Sequence, residues 1–200
     1  MPKNKLLVIG AGIGQVALVE AAKRRNVHVT VASRPGDYPC FALADASCPL
    51  DIYDRDAIVE YARASGITAV ASDQNDLMMP TVAYVAEKLG LPGNAFEKVW
   101  TYCNKTLFRG LCERAGTPVP RHVSLSSPIV PVEFRDASLP WIVKPEDSQS
   151  SIGVTKICAF EEFEPAARLS LEKSRGGRAI LEEFFTGREV VCEGFAYKGR

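Results

Sequence analysis

The sequence has no C-x-x-C pair and only two histidines. Its six cysteines stand apart at positions 40, 48, 103, 112, 158 and 192. With His28 and His122 also far apart, no recognisable metal-ligand spacing is left, so the cysteines read as reduced packing residues and none as a nucleophile. Net charge is missing too. Lys and Arg number 24 against 24 Asp and Glu, which removes any overall electrostatic reason to expect nucleic acid or an anionic membrane surface, though not a local basic site. No apolar run approaches the ~18 residues of a membrane span. The opening MPKNKLLVIGAGIG runs into a strand and a glycine turn, not a signal peptide, so the expected location is cytoplasmic. Internal repeats and low-complexity tracts are also lacking.

What is present is a chain of 200 residues with 46% hydrophobic content, enough for one large core or two small ones. In the first half, apolar runs alternate with helical periodicity. Strands are expected over residues 5–10, 27–33 and 68–72, and helices over 15–25, 54–65 and 77–89, the last stopped by Gly90 and Pro92. Repeated β-α units with apolar strands imply an α/β fold with a parallel sheet covered on both faces.

The pattern changes near residue 93, where we place a domain boundary between residues 1–93 and 94–200. Helices at 95–102 and 105–115 lead through Gly116-Thr117-Pro118 to a strand at 122–125. A Ser/Pro-rich connection precedes Leu139-Pro140-Trp141-Ile142-Val143-Lys144. Strands at 154–158, 179–184 and 189–197 and a helix near 160–174 complete an expected antiparallel sheet with flanking helices. Pro165 leaves the start of that helix uncertain. Lys198-Gly199-Arg200 resembles a hairpin turn without its returning strand, so the chain is expected to be an amino-terminal piece of a longer protein.

Several motifs carry chemistry. GAGIGQ at 10–15 permits a tight turn before a helix amino end that could hold a phosphate. However, Gln15 replaces the third glycine of the dinucleotide fingerprint, and the second strand ends on Ser33-Arg34, not on an acid that binds ribose. Asp45, Asp51 and Asp56 read as loop residues and Asp54 as a helix cap. Asp73 and Asp76 in SDQND either face a substrate or cap the next helix. The second half holds the stronger set. WIVKPEDSQSSIGV ends a buried strand on Lys144, where an ammonium calls for an anionic partner, and opens into a Ser/Gly loop able to bring backbone N-H groups close to a ligand. Lys105 opens a helix, and ILEEFFTGRE strings together carboxylates, an aromatic pair and a glycine turn.

These segments, with NKTLFRGLCERAGTPVP before them, resemble the ATP-grasp superfamily across the whole chain, most closely its carboxylate-amine ligases such as D-alanine:D-alanine ligase and L-amino-acid ligases. The resemblance implies a Rossmann-like pre-ATP-grasp domain followed by an incomplete ATP-grasp α+β domain. It implies ATP as cofactor, with Lys105 and Lys144 on its phosphates and Lys144 as the catalytic group. Ser148, Ser150, Ser151 and Gly153 would form a flap over those phosphates. Glu182, with the backbone of Glu183, Phe184 and Phe185, would meet the adenine edge, and Glu189 the ribose. The reaction implied is phosphorylation of a small-molecule carboxylate followed by attack of an amine on the acyl phosphate. The same resemblance allows a homodimer and gives no nucleic-acid or membrane partner. The family's Mg2+ ligands would lie beyond residue 200, leaving this chain with no metal ligand and inactive alone. Three other readings stay open: a biotin carboxylase or carbamoyl-phosphate synthetase-like enzyme, an NADP-binding oxidoreductase resting on GAGIGQ and Ser33-Arg34, and a non-catalytic nucleotide-binding module.

Overall fold

The computed structural model describes residues 4–192 and 194. Four short apolar segments build the first sheet: β1 (Lys5–Ile9), β2 (His28–Ala32), β3 (Ala46–Cys48) and β4 (Ala69–Ala71). They pair in parallel in the order β3-β2-β1-β4, with Leu6 of β1 opposite Val29 on one side and Ala69 on the other. Side chains of β1 alternate between the two faces. Leu7 and Ile9 pack into a core with residues of α3 (Arg55–Ser65) and α4 (Met79–Leu89), while Val8 joins Val29 and Val31 beneath α1 (Val16–Arg24) and α2 (Pro39–Leu43). The expected three-layer arrangement is therefore present. Asp54 caps α3, its Oδ1 accepting the Ala57 N-H at 3.2 Å.

Two elements of this half escape the sequence pattern, α2 and β3. Both are short, and Ala-Ser-Cys has no β-branched or aromatic residue to mark it as a strand. Tertiary packing holds them, since Cys40 and Cys48 are fully buried. All six cysteines are free thiols, but Cys158 and Cys192 are exposed and do no packing.

The second half opens with α5 (Phe96–Cys103) and α6 (Lys105–Arg114). Phe96 lies edge-on to Tyr84 at 5.4 Å, so α5 rests on α4 of the first half. Then come β5 (His122–Leu125), β6 (Trp141–Pro145), β7 (Thr155–Ile157), α7 (Phe163–Lys173) and β8 (Ala179–Glu183). The sheet is antiparallel, ordered β5-β8-β6-β7. Pro165 sits in the first turn of α7, where its missing N-H breaks no helical bond. The strand expected over residues 189–197 does not form at 189–192 or 194, which are irregular; the other residues of that span lie outside those described.

Burial alternates along β6, and that alternation explains why an apolar strand ends on a lysine. Trp141 and Val143 point into a core with Phe134, Phe163, Ala167 and Leu181. Phe134 meets the Trp141 ring edge-on at 5.5 Å. By the same period of two, Ile142 and Lys144 fall on the opposite face, beside Glu182 of β8 and under α6.

Candidate functional site

The face of the second sheet opposite the tryptophan core gathers charge. Glu182 is 2% exposed. Its carboxylate pairs with Lys144 Nζ through one oxygen and accepts from Arg109 Nε at 2.5 Å through the other. Burial pushes the Glu182 carboxyl up, but the hydrogen bonds from Arg109 and Lys144 outweigh it and hold the group below its ordinary value. Arg109 had no role in the sequence pattern. It lies one helical turn beyond Lys105 on the face of α6 that meets the sheet, and the spacing of NKTLFRG contains that signal.

Lys105 opens α6, which Asn104 caps by accepting the Leu107 N-H at 2.9 Å. Its own N-H donates to the Glu146 carbonyl at 3.0 Å, and its ammonium donates to the Ser148 carbonyl at 2.6 Å. Burial and the neighbouring Lys144 charge lower the Lys105 pKa, opposed by Asp147, Glu182 and Asp76. Among the described residues Lys105 makes no ion pair. Its cation is thus partly desolvated, close to a second cation, and answered by a carbonyl dipole.

Glu146 is the other residue missed. It is 5% exposed, accepts from Asn104 Nδ2 at 3.2 Å, from Thr106 Oγ1 at 2.6 Å and from Ser124 Oγ. It thereby ties the start of α6 to the end of β6 and sets Lys105 beside Lys144. A carboxylate two residues after Lys144 reads in sequence as an ordinary loop acid.

The 148–153 loop joins β6 to β7. Ser148 is half-buried against Lys105, whereas Ser150 and Ser151 are exposed and hold positive φ angles of 55° and 57°. Gly153 has φ 72°, and a Cβ there would stand 3.0 Å from both Lys173 Cβ and Pro145 Cγ. Its carbonyl accepts from Ser170 Oγ at 2.6 Å, which anchors the loop to α7. Past β8, the Phe184 N-H donates to the Pro140 carbonyl at 3.1 Å, and Lys156 Nζ lies 4.1 Å from the centre of its ring. Phe184, Phe185 and Glu189 line one cavity of about 450 Å³. So the structure brings Lys105, Lys144, Ser148 and Glu182 together. It leaves Phe185 and Glu189 exposed, next to the edge where Glu183 ends the sheet.

The glycine turn of the first half lines a cavity of about 360 Å³, but one of its donors is taken by its own chain. Gln15 is buried; its Oε1 accepts the Gly12 N-H at 3.1 Å and its Nε2 donates to the Asp73 carbonyl at 2.5 Å. Gly10 has φ 98°, and a Cβ there would lie 2.4 Å from Met78 Sδ, so only glycine fits. An N-H that a dinucleotide phosphate would need is already engaged. In SDQND neither aspartate caps α4, whose N-cap Met78 makes no side-chain cap bond; Asn75 Oδ1 accepts the Leu77 N-H at 3.0 Å in the turn before it. Among the described residues no group of three or more His, Cys, Asp or Glu is placed to hold a metal ion.

With its parallel-sheet unit joined to an antiparallel sheet that carries the two lysines, the chain is similar to ATP-grasp carboxylate-amine ligases. The profile of the D-ala D-ala ligase C-terminus family matches residues 113–195. The D-alanine--D-alanine ligase of Methylibium petroleiphilum is 39% identical over 82 residues, 38% of this chain and 25% of that protein. The formate-dependent phosphoribosylglycinamide formyltransferase of Methanocaldococcus jannaschii is 27% identical over 198 residues, covering 90% of this chain and 47% of that one. Among solved structures, the ADP complex of N5-carboxyaminoimidazole ribonucleotide synthetase superposes with a TM-score of 0.73 at 18% identity, over 92% of this chain and 48% of the other. The chain thus spans less than half the length of each of these relatives. No helix among the described residues is long and apolar enough to cross a membrane.

Proposed function

We propose that the chain supplies the ATP-binding part of an enzyme that joins a carboxylate to an amine through an acyl phosphate. The observation that carries this is the Lys105 ammonium: half-buried, beside Lys144, and met only by the Ser148 carbonyl at 2.6 Å among the described residues. A desolvated cation pair at the mouth of a Ser/Gly loop favours a polyphosphate, whose charge both ammonium groups would share. In this reading Lys144, fixed by Glu182, faces the transferred phosphoryl group, and the 148–153 loop covers it with N-H and hydroxyl donors. Phe184, Phe185 and Glu189 lie along the adenosine, with the main chain after Glu183 on the adenine edge. The Glu182 carboxylate then acts by orienting Lys144. We place the protein in the cytoplasm, which its six free thiols favour, and keep the division into two domains near residue 93, supported by separate cores on either side. Mg2+ would belong to the same reaction, but the described residues offer it no ligand set, so no step is assigned to it.

Titrating the chain with ATP and with NADPH tests the proposal. ATP binds and NADPH does not, and Lys144→Ala weakens ATP binding about tenfold or more, the loss of a charge-assisted phosphate contact. NADPH binding without an ATP response would overturn it.

A further inference from the structure

A second cavity, of about 650 Å³, lies between the two halves, and neither Lys105 nor Lys144 lines it. Its wall carries four arginines, Arg34, Arg55, Arg175 and Arg178, against three carboxylates, Asp51, Glu146 and Asp147. Each carboxylate is already engaged. Asp147 accepts the N-H groups of Arg175 at 3.2 Å and Gly176 at 2.9 Å. Asp51 accepts the Tyr53 N-H at 3.1 Å and lies 3.7 Å from Arg34 Nε. Glu146 holds the α6 start and is 3.8 Å from Arg178 Nε.

Arg55 and Arg175 are left over: among the described residues neither makes an ion pair. Arg55 lies against the stacked pair Phe96 and Trp100, with its Cζ 5.2 Å and 5.4 Å from the ring centres. Arg175 stacks on Tyr53, its Cζ 3.0 Å from the ring centre. Such stacking could be the whole purpose of these side chains, as aromatic staples between the halves. Stacking, however, uses the faces of a guanidinium and leaves its N-H edge to be satisfied. The Nε of Arg55 is buried and has no hydrogen-bond partner, a costly state that an incoming acceptor relieves. Two cations without counter-charges thus flank a cavity lined by Tyr53 and Trp100, beyond the carboxyl ends of β2 and β3, the edge of a parallel sheet where ligands bind.

We infer that this cavity binds a small molecule through an oxyanion, a carboxylate or a phosphate group, gripped by the guanidinium edges of Arg55 and Arg175. The site is separate from the lysine pair and does not depend on the nucleotide reading. The two are adjacent in the chain, because Asp147 fixes the Arg175 backbone while Ser148 receives Lys105.

The 200-residue chain, titrated with inorganic phosphate and with succinate at constant chloride, provides the test. Heat of binding and tryptophan fluorescence are the readouts, since Trp100 lines the cavity. At least one of the two anions binds saturably; phosphate alone assigns a phosphate ester, and succinate alone a carboxylate. Arg175→Gln, at an exposed position, weakens that binding about tenfold or more, and Arg55→Gln does the same in a protein shown to be folded by circular dichroism. Lys144→Ala leaves it unchanged, which separates this site from the nucleotide site. Absence of saturable binding by either anion overturns the inference, as does binding that survives Arg175→Gln or is lost in Lys144→Ala.

Discussion

Glu182 is the buried acid on which the second half's charge balance turns. Its carboxylate meets Lys144 and Arg109, whose side chains are 18% and 26% exposed. Removing the negative charge leaves two partly buried cations side by side on the sheet. Glu182→Gln therefore destabilises the chain by about 2 kcal/mol or more, below the usual cost of breaking a buried pair because both cations reach water. Urea unfolding at neutral pH measures it. The sign of the pH dependence follows from the lowered carboxyl pKa. The Glu182 contribution is complete above its unfolded value and is lost as pH falls through the lower folded one. The gap in stability between the native protein and Glu182→Gln accordingly closes on acidification below about pH 4.5, the ordinary glutamate value. A gap independent of pH would mean that the charge of Glu182 does not matter.

At the scale of elements, the start of α6 and the β6–β7 loop act as one unit. Glu146 holds the helix start, and Lys105 reaches across to Ser148. Strands and helices were largely legible in the sequence, because apolar alternation and capping residues are local signals: His122 to Leu125 appears as a strand in both. What was not legible is how these elements meet. Nothing local shows that Arg109 and Lys144 converge on one carboxylate, or that Glu146 bridges 40 residues to Thr106. Nor does the helical pattern reveal that burial lowers the Lys105 pKa from its ordinary 10.5. That shift gives a prediction. Polyphosphate affinity is full while Lys105 is cationic and falls as pH rises through its lowered value, earlier than an ordinary lysine allows. Lys105→Arg, which stays charged, moves this alkaline limb upward. ATP titrations between neutral pH and pH 10 read the limb directly, and an identical limb in both proteins would remove Lys105 from the phosphate grip.

For the whole molecule, the question is which end of the parallel sheet and which face of the antiparallel one a nucleotide contacts. The glycine turn was the most conspicuous motif, yet its function was illegible because a single distant contact decides it. Gln15, 58 residues from Asp73 in sequence, bonds that carbonyl and also takes the Gly12 N-H. The turn is thereby latched to the loop after β4. The lysines of the second half remain open to solvent on one side, with a loop whose Ser150 and Ser151 are exposed and in the sparsely populated left-handed region. Such a loop opens at low free-energy cost and gains most from ordering around a ligand. Hydrogen exchange followed by mass spectrometry should therefore show ATP slowing amide exchange in the 148–153 loop, at the start of α6 and after β8, with residues 10–15 unchanged. Protection centred on residues 10–15 would instead put the nucleotide in the first half, and the latch formed by Gln15 would have to open to admit it.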